Sequence, residues 1–204
     1  MMDDEVVLWS SSILDDFRRA NFNPPLVRHG LVDESIKWKP PVIGIFKVNT
    51  DAAIDSKEGR VGLGIMIRDC EGFVLASSAQ IVKANFPPQL AEALALLKGS
   101  IQFAYDSGLW PCQCEYDVLA VVNMVCSNDP ILTEIGIVIQ DFKSLLFRCN
   151  DNSISFVPRM ANMAAHCLAK IGLDNGFDSF WLEEFPTGLN AIVLSDLSPS
   201  ENFI

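Results

Sequence analysis

Three extended stretches in quick succession, each closed by turn residues, constrain this chain more than any other feature. Ile43 to Thr50 sets Ile45, Lys47 and Asn49 against Phe46, Val48 and Thr50, the alternation of a strand. Gly62 to Arg68 reads as a second strand, reached through a loop holding Lys57, Glu58 and Gly59. Asp69-Cys70-Glu71-Gly72 signals a tight turn, and Phe73 to Ser78 completes an antiparallel meander. Pro87-Pro88 then opens a long helix from about Gln89 to Asp106, which stops at Ser107-Gly108.

Beyond the meander, strand and helix alternate. Gln113 to Asp117 reads as a short strand and Leu119 to Cys126 as an apolar helix. Asn128-Asp129-Pro130 breaks the chain before a helix from about Ile131 to Phe147. Ser153 to Val157 is a fifth strand, and Asn162 to Leu173 a last, alanine-rich helix ending at Asp174-Asn175-Gly176. The order βββ-α-β-α-α-β-α implies an α/β fold: a five-stranded mixed sheet, three strands in the meander plus two parallel ones, covered by helices. Residues 1–41 read as a largely irregular arm with one short helix near 10–20, broken at Phe22-Asn23-Pro24-Pro25. Residues 42–173 read as the folded domain, and 174–204 as an acidic tail.

Charge separates the same three parts. The chain of 204 residues has 15 Lys and Arg against 26 Asp and Glu. Residues 1–41 carry 7 acids and 5 bases, residues 42–173 carry 13 and 10, and residues 174–204 carry 6 acids and no base. A net charge of −11 disfavours partners held by phosphate neutralisation, yet most of the excess lies in the tail. The middle is nearly balanced, and a bound divalent metal would make it locally cationic. No apolar run approaches the ~20 residues of a membrane span. The acidic opening Met1-Met2-Asp3-Asp4-Glu5 argues against a secretory leader. The six cysteines are therefore expected as thiols in an intracellular compartment, nucleus or cytoplasm.

Three carboxylates fall at telling positions. Asp51 ends the first strand, Glu92 lies in the first turn of the long helix, and Asp117 ends the fourth strand. If strands one and four are adjacent and parallel, Asp51 and Asp117 share one edge, and Glu92 reaches it from the covering helix. Ionised carboxylates at such range repel by up to ~4 kcal/mol per pair at an effective dielectric near 20. Oxygen ligands of this kind suit Mg²⁺ or Mn²⁺, which offset the repulsion. Plainer roles stand beside these: Asp51 in a strand-end turn, Glu92 against a helix dipole, Asp117 as a helix cap, and His166 as a structural histidine. Arg159 and Asn162 either cap and orient the last helix or contact phosphate. Cys112-x-Cys114 is a poor zinc signature. Gly62-x-Gly64 lacks the third glycine and the context of a dinucleotide site, so no nucleotide cofactor is expected and strand packing is its favoured role.

Five motifs in order resemble a known family: Asn49-Thr50-Asp51-Ala52-Ala53, Gly62-x-Gly64-x-x-x-Arg68-Asp69-x-x-Gly72, Ala91-Glu92-Ala93-x-Ala95, Glu115-x-Asp117, and Val157-x-Arg159-x-x-Asn162-x-x-Ala165-His166-x-Leu168-Ala169. Together they resemble the ribonuclease H type 1 domain in its plant, retroelement-derived form. Trp38-Lys39-Pro40-Pro41 and Trp181-x-x-x-x-Pro186 are similar to that form too. Separately, a monomer is expected; the resemblance implies a ribonuclease H-like fold and an endonuclease. It would cut the RNA strand of RNA–DNA hybrids by two-metal in-line phosphodiester hydrolysis, with Mg²⁺ or Mn²⁺. It places Asp51, Glu92, Asp117 and His166 as metal and catalytic residues and Arg159 and Asn162 at the substrate. His166 stands where the family has a fourth acid, Ala52 where it has glycine and Val118 where it has serine. Those departures define the alternative: a catalytically weakened or inactive module that binds nucleic acid or protein.

Overall fold

A computed structural model describes residues 37–83, 93, 101–127, 134–146, 148 and 152–197. Its elements are β1 (Phe46–Asp55), β2 (Arg60–Arg68), β3 (Val74–Lys83), α1 (Phe103–Asp106), β4 (Cys112–Tyr116), α2 (Leu119–Cys126), α3 (Glu134–Leu146), β5 (Ser153–Phe156), α4 (Met163–Asn175), β6 (Ser179–Leu182) and α5 (Asn190–Leu197). Of the long helix expected over 89–106, Ala93 and residues 101–106 are described; Glu92 lies outside the described residues. Residues 1–36 of the expected arm lie outside them as well.

Among the described residues the strands form one mixed sheet of six, in the order β5-β4-β1-β2-β3-β6. β1, β2 and β3 are the expected antiparallel meander, and β4 and β5 run parallel to β1. Aspartates close both hairpins. Asp55 Oδ1 accepts from the backbone N–H of Lys57 (3.1 Å) and Glu58 (3.2 Å), and Asp69 Oδ1 accepts from those of Glu71 and Phe73, both at 2.9 Å. Gly72 sits at φ +84° in the second turn, and a Cβ there would also strike the Leu197 side chain.

The sixth strand, β6, exceeds the five expected and pairs antiparallel with β3, Ala76 facing Leu182 and Ala79 facing Ser179. It comes from the stretch set apart as a tail by its charge. Four residues are too few to display a period, and the acids around them dominate the composition. Farther along, Leu189 and Val193 join Met66, Val74, Ala79, Ala164 and Leu168 in one buried cluster. Burying apolar surface at about 25 cal/mol per Å² holds this acidic segment on the sheet.

α4 lies across β1, β2 and β3 on one face of the sheet. Gly62 and Gly64 allow that approach, since a Cβ at Gly62 would meet the Ala169 carbonyl and one at Gly64 would meet the Ala165 carbonyl and the Ala169 nitrogen. Strand packing is thus what Gly62-x-Gly64 provides.

The same face carries a buried charge. Arg68 is 0% exposed; its Nη1 donates to Asp196 Oδ2 at 2.7 Å and its Nη2 to Asn49 Oδ1 at 3.2 Å. The Trp38 ring covers the guanidinium, with Cζ 3.7 Å from the ring centroid. Beside it Lys47 Nζ pairs with Glu115 Oε1 at 2.6 Å, and Asn49 Nδ2 donates to Glu115 Oε2 at 3.0 Å. Burial pushes Arg68 down and Asp196 up from their ordinary pKa values, against the pull of the pairing. Such a pair adds little by existing but costs much when halved.

Asp196→Ala should therefore lower unfolding free energy by about 3–5 kcal/mol in urea titrations, by leaving Arg68 buried and unpaired. Gly64→Ala, which drives a methyl into the α4 backbone, should cost about 3 kcal/mol in the same measurement.

Candidate active site

The register of β1 against β4 builds the site. Their parallel pairing runs from Phe46 opposite Cys112 to Asn49 opposite Glu115. Side chains two residues apart share a face, so Asp51 and Asp117 follow Asn49 and Glu115 on the same side. Asp51 does not end its strand as expected, because the hairpin with β2 continues to Asp55 opposite Arg60. It lies instead where β1 has outrun β4, one step beyond their last pair. Asp117 follows Tyr116 directly at the end of β4. Both carboxylates are buried, their side chains 2% and 1% exposed.

The connection from β5 into α4 closes over this pair. Pro158 leads into a short turn, Arg159–Asn162, which runs on into α4. Arg159 Nε donates to Asp117 Oδ2 at 2.9 Å, and its Nη2 lies 4.0 Å from Asp51 Oδ1. Asn162 makes no side-chain cap on α4. Its Nδ2 reaches back to the Thr50 carbonyl at 2.9 Å and to Asp117 Oδ1 at 3.3 Å. Asp117 likewise does not cap α2, whose first turn follows Val118 without a side-chain cap. From α4, His166 brings Nδ1 to 2.7 Å from Asp51 Oδ2. With Asp51 ionised, Nδ1–H donates; the other ring nitrogen is left facing away from that bond.

Five of the six expected residues are thereby gathered: Asp51, Asp117, Arg159, Asn162 and His166. Glu92 lies outside the described residues. The buried Lys47–Asn49–Glu115–Arg68 network one step away was not anticipated as a unit. Its signal was the polar face of β1, where Lys47 and Asn49 occupy inward positions of a strand otherwise rich in apolar residues.

Burial and like charge dominate the electrostatics of the site. Burial first, and then the neighbouring Asp117 carboxylate, push the Asp51 pKa up from 3.8 to about 6; the His166 hydrogen bond and the Arg159 guanidinium pull it partly back. Among the described residues no group of three His, Cys, Asp or Glu side chains is arranged to hold a metal ion. The donors that are present still fit one: two hard carboxylates, buried side by side, one of them raised to about 6 by burial and by the charge of the other.

A mixed sheet of this order, with the meander in its middle and α4 across one face, is a ribonuclease H-like fold. Solved structures share it. RNase H1 from the halophilic archaeon Halobacterium salinarum NRC-1 is 24% identical, covering 65% of this chain and 99% of that one, with a TM-score of 0.57. The N-terminal RNase H domain of rv2228c from Mycobacterium tuberculosis is 21% identical over 64% of this chain and 94% of that one, TM-score 0.56. LC11-RNase H1, solved in complex with an RNA/DNA hybrid, is 17% identical over 64% and 98%, TM-score 0.56. No curated protein matches the chain significantly. The family model described as Reverse transcriptase-like matches residues 49–172, and the chain belongs to that family.

The raised Asp51 pKa has a consequence for stability. The folded state keeps this proton up to about pH 6, the unfolded chain only to about 3.8, so stability is greatest below the lower value and declines as pH rises through the higher one. Asp51→Asn should therefore stabilise the free protein at pH 7 by on the order of 2–3 kcal/mol, with the gain fading towards pH 4 in thermal melts.

Proposed function

We infer that this protein is a metal-dependent endonuclease acting on the RNA strand of RNA–DNA hybrids, of the plant ribonuclease H-like form. The observation that carries the reading is the buried Asp51–Asp117 pair at the ends of parallel strands, flanked by Arg159, Asn162 and His166. The hybrid held by LC11-RNase H1, a relative in fold, supports the substrate class. The chain is read as an intracellular monomer.

Asp51 and Asp117 would hold the divalent ions together with Glu92, and those ions supply activation of water and stabilisation of the leaving oxygen. His166 fixes Asp51 through Oδ2, which leaves Oδ1 on the side of Arg159. Asn162 ties Asp117 to the Thr50 carbonyl and so keeps the two strand ends in register. Arg159, more than half exposed, is placed to meet a backbone phosphate in a bidentate contact. Imidazole at the fourth ligand place favours a softer ion than a carboxylate would, which points to Mn²⁺ ahead of Mg²⁺.

One observation favours a second reading. Both carboxylates already have partners within the chain, Asp51 in His166 and Asp117 in Arg159 and Asn162. A module that binds hybrids without turnover would need no more than that.

Cleavage of an end-labelled RNA–DNA hybrid separates the two. The expected result is cleavage with Mn²⁺, weaker with Mg²⁺, and a loss of about 10²-fold or more in Asp51→Asn. Salt-sensitive hybrid binding with no cleavage by folded protein would support the binding module instead.

A further inference from the structure

Two buried carboxylates side by side need a counter-charge whether or not a divalent ion is present. Here one comes from within the chain. Through its 2.9 Å bond to Asp117 Oδ2 and its 4.0 Å approach to Asp51 Oδ1, a single guanidinium spans both acids. Arg159 is 55% exposed where the acids are 2% and 1%, so it closes the pair on the solvent side.

We propose that Arg159 is an internal competitor for the divalent ion, a cation that clasps Asp51 and Asp117 in the free protein and must swing away before an ion can bridge them. This rests on the metal-dependent reading above. The backbone under Arg159 stays put during the exchange, because Ala161 and Asn162 in the same turn are buried and Asn162 is tied to Thr50. Only a long, half-exposed side chain changes rotamer. The released guanidinium has an alternative anion in any nucleic-acid complex, the backbone phosphate. Phosphate contacts that draw Arg159 off the carboxylates lower the competition, so ion loading and strand docking are coupled through one side chain, and reciprocally so.

The test is direct Mn²⁺ binding to the full chain, followed by electron paramagnetic resonance or calorimetry without nucleic acid. Arg159→Gln should bind Mn²⁺ about tenfold more tightly than the parent, the scale of one charge-assisted hydrogen bond lost to the competitor. Arg159→Lys, which keeps the charge without the fork, should fall between them. Unchanged or weaker affinity in Arg159→Gln overturns the proposal, since a side chain that merely supports the site would weaken binding when removed. Absence of Mn²⁺ binding in folded parent and variant alike overturns the metal-dependent reading itself, a result distinct from unchanged affinity.

Discussion

A guanidinium with no solvent contact holds the two halves of the sheet face together. Arg68 reaches Asn49 on β1 and Asp196 on α5 while lying under Trp38, so it joins the lead-in to the first strand, the meander and the C-terminal helix at one point. Asn49 passes the connection to Glu115 on β4, and Glu115 to Lys47. Desolvation makes such a network expensive, and its worth lies in allowing one arrangement of these elements. Asn49 and Glu115 are also the last paired residues of β1 and β4. The network thereby sets the register in which Asp51 and Asp117 emerge one step later.

Site geometry follows from that register and from glycine. Because nothing projects from Gly62 and Gly64, α4 lies against β2, and its N-terminal turn falls over the ends of β1 and β4. Arg159, Asn162 and His166 meet the two acids from that turn and the helix behind it. The carboxylates are buried deeply enough to repel, and the chain answers with a guanidinium and an imidazole instead of leaving the charge to solvent. The proposed exchange of Arg159 for a divalent ion rests on this arrangement.

Much of this was legible in the residues, for physical reasons that differ by element. The meander showed because alternation survives in strands with one apolar face, and α2 matched residue for residue because its apolar run follows a strand ending at Asp117 and stops before Ser127-Asn128-Asp129-Pro130. The pairing of Asp51 with Asp117 was legible because the period of a strand carries one acid into the neighbourhood of the other. β6 and α5 were hidden: six acids and no base in 174–204 masked Leu189 and Val193, whose burial depends on a surface formed by distant Met66 and Leu168. Arg68 read as one member of a motif, and nothing local discloses that its partner lies 128 positions on. The reach of β1 to Asp55 depends likewise on Arg60, which pairs with Asp55 across the hairpin at 3.1 Å.

Asp51 and Asp117 share one site as buried carboxylates, and burial together with the charge of Asp117 raises the Asp51 pKa. A carbon-13 NMR titration of the Asp51 side-chain carboxyl in metal-free protein tests it most directly, with Asp117→Asn as comparison. A midpoint near the raised value of about 6, falling when the Asp117 charge is removed, is the expected result. A midpoint at the ordinary 3.8, unmoved by Asp117→Asn, would mean that the two acids do not share a site.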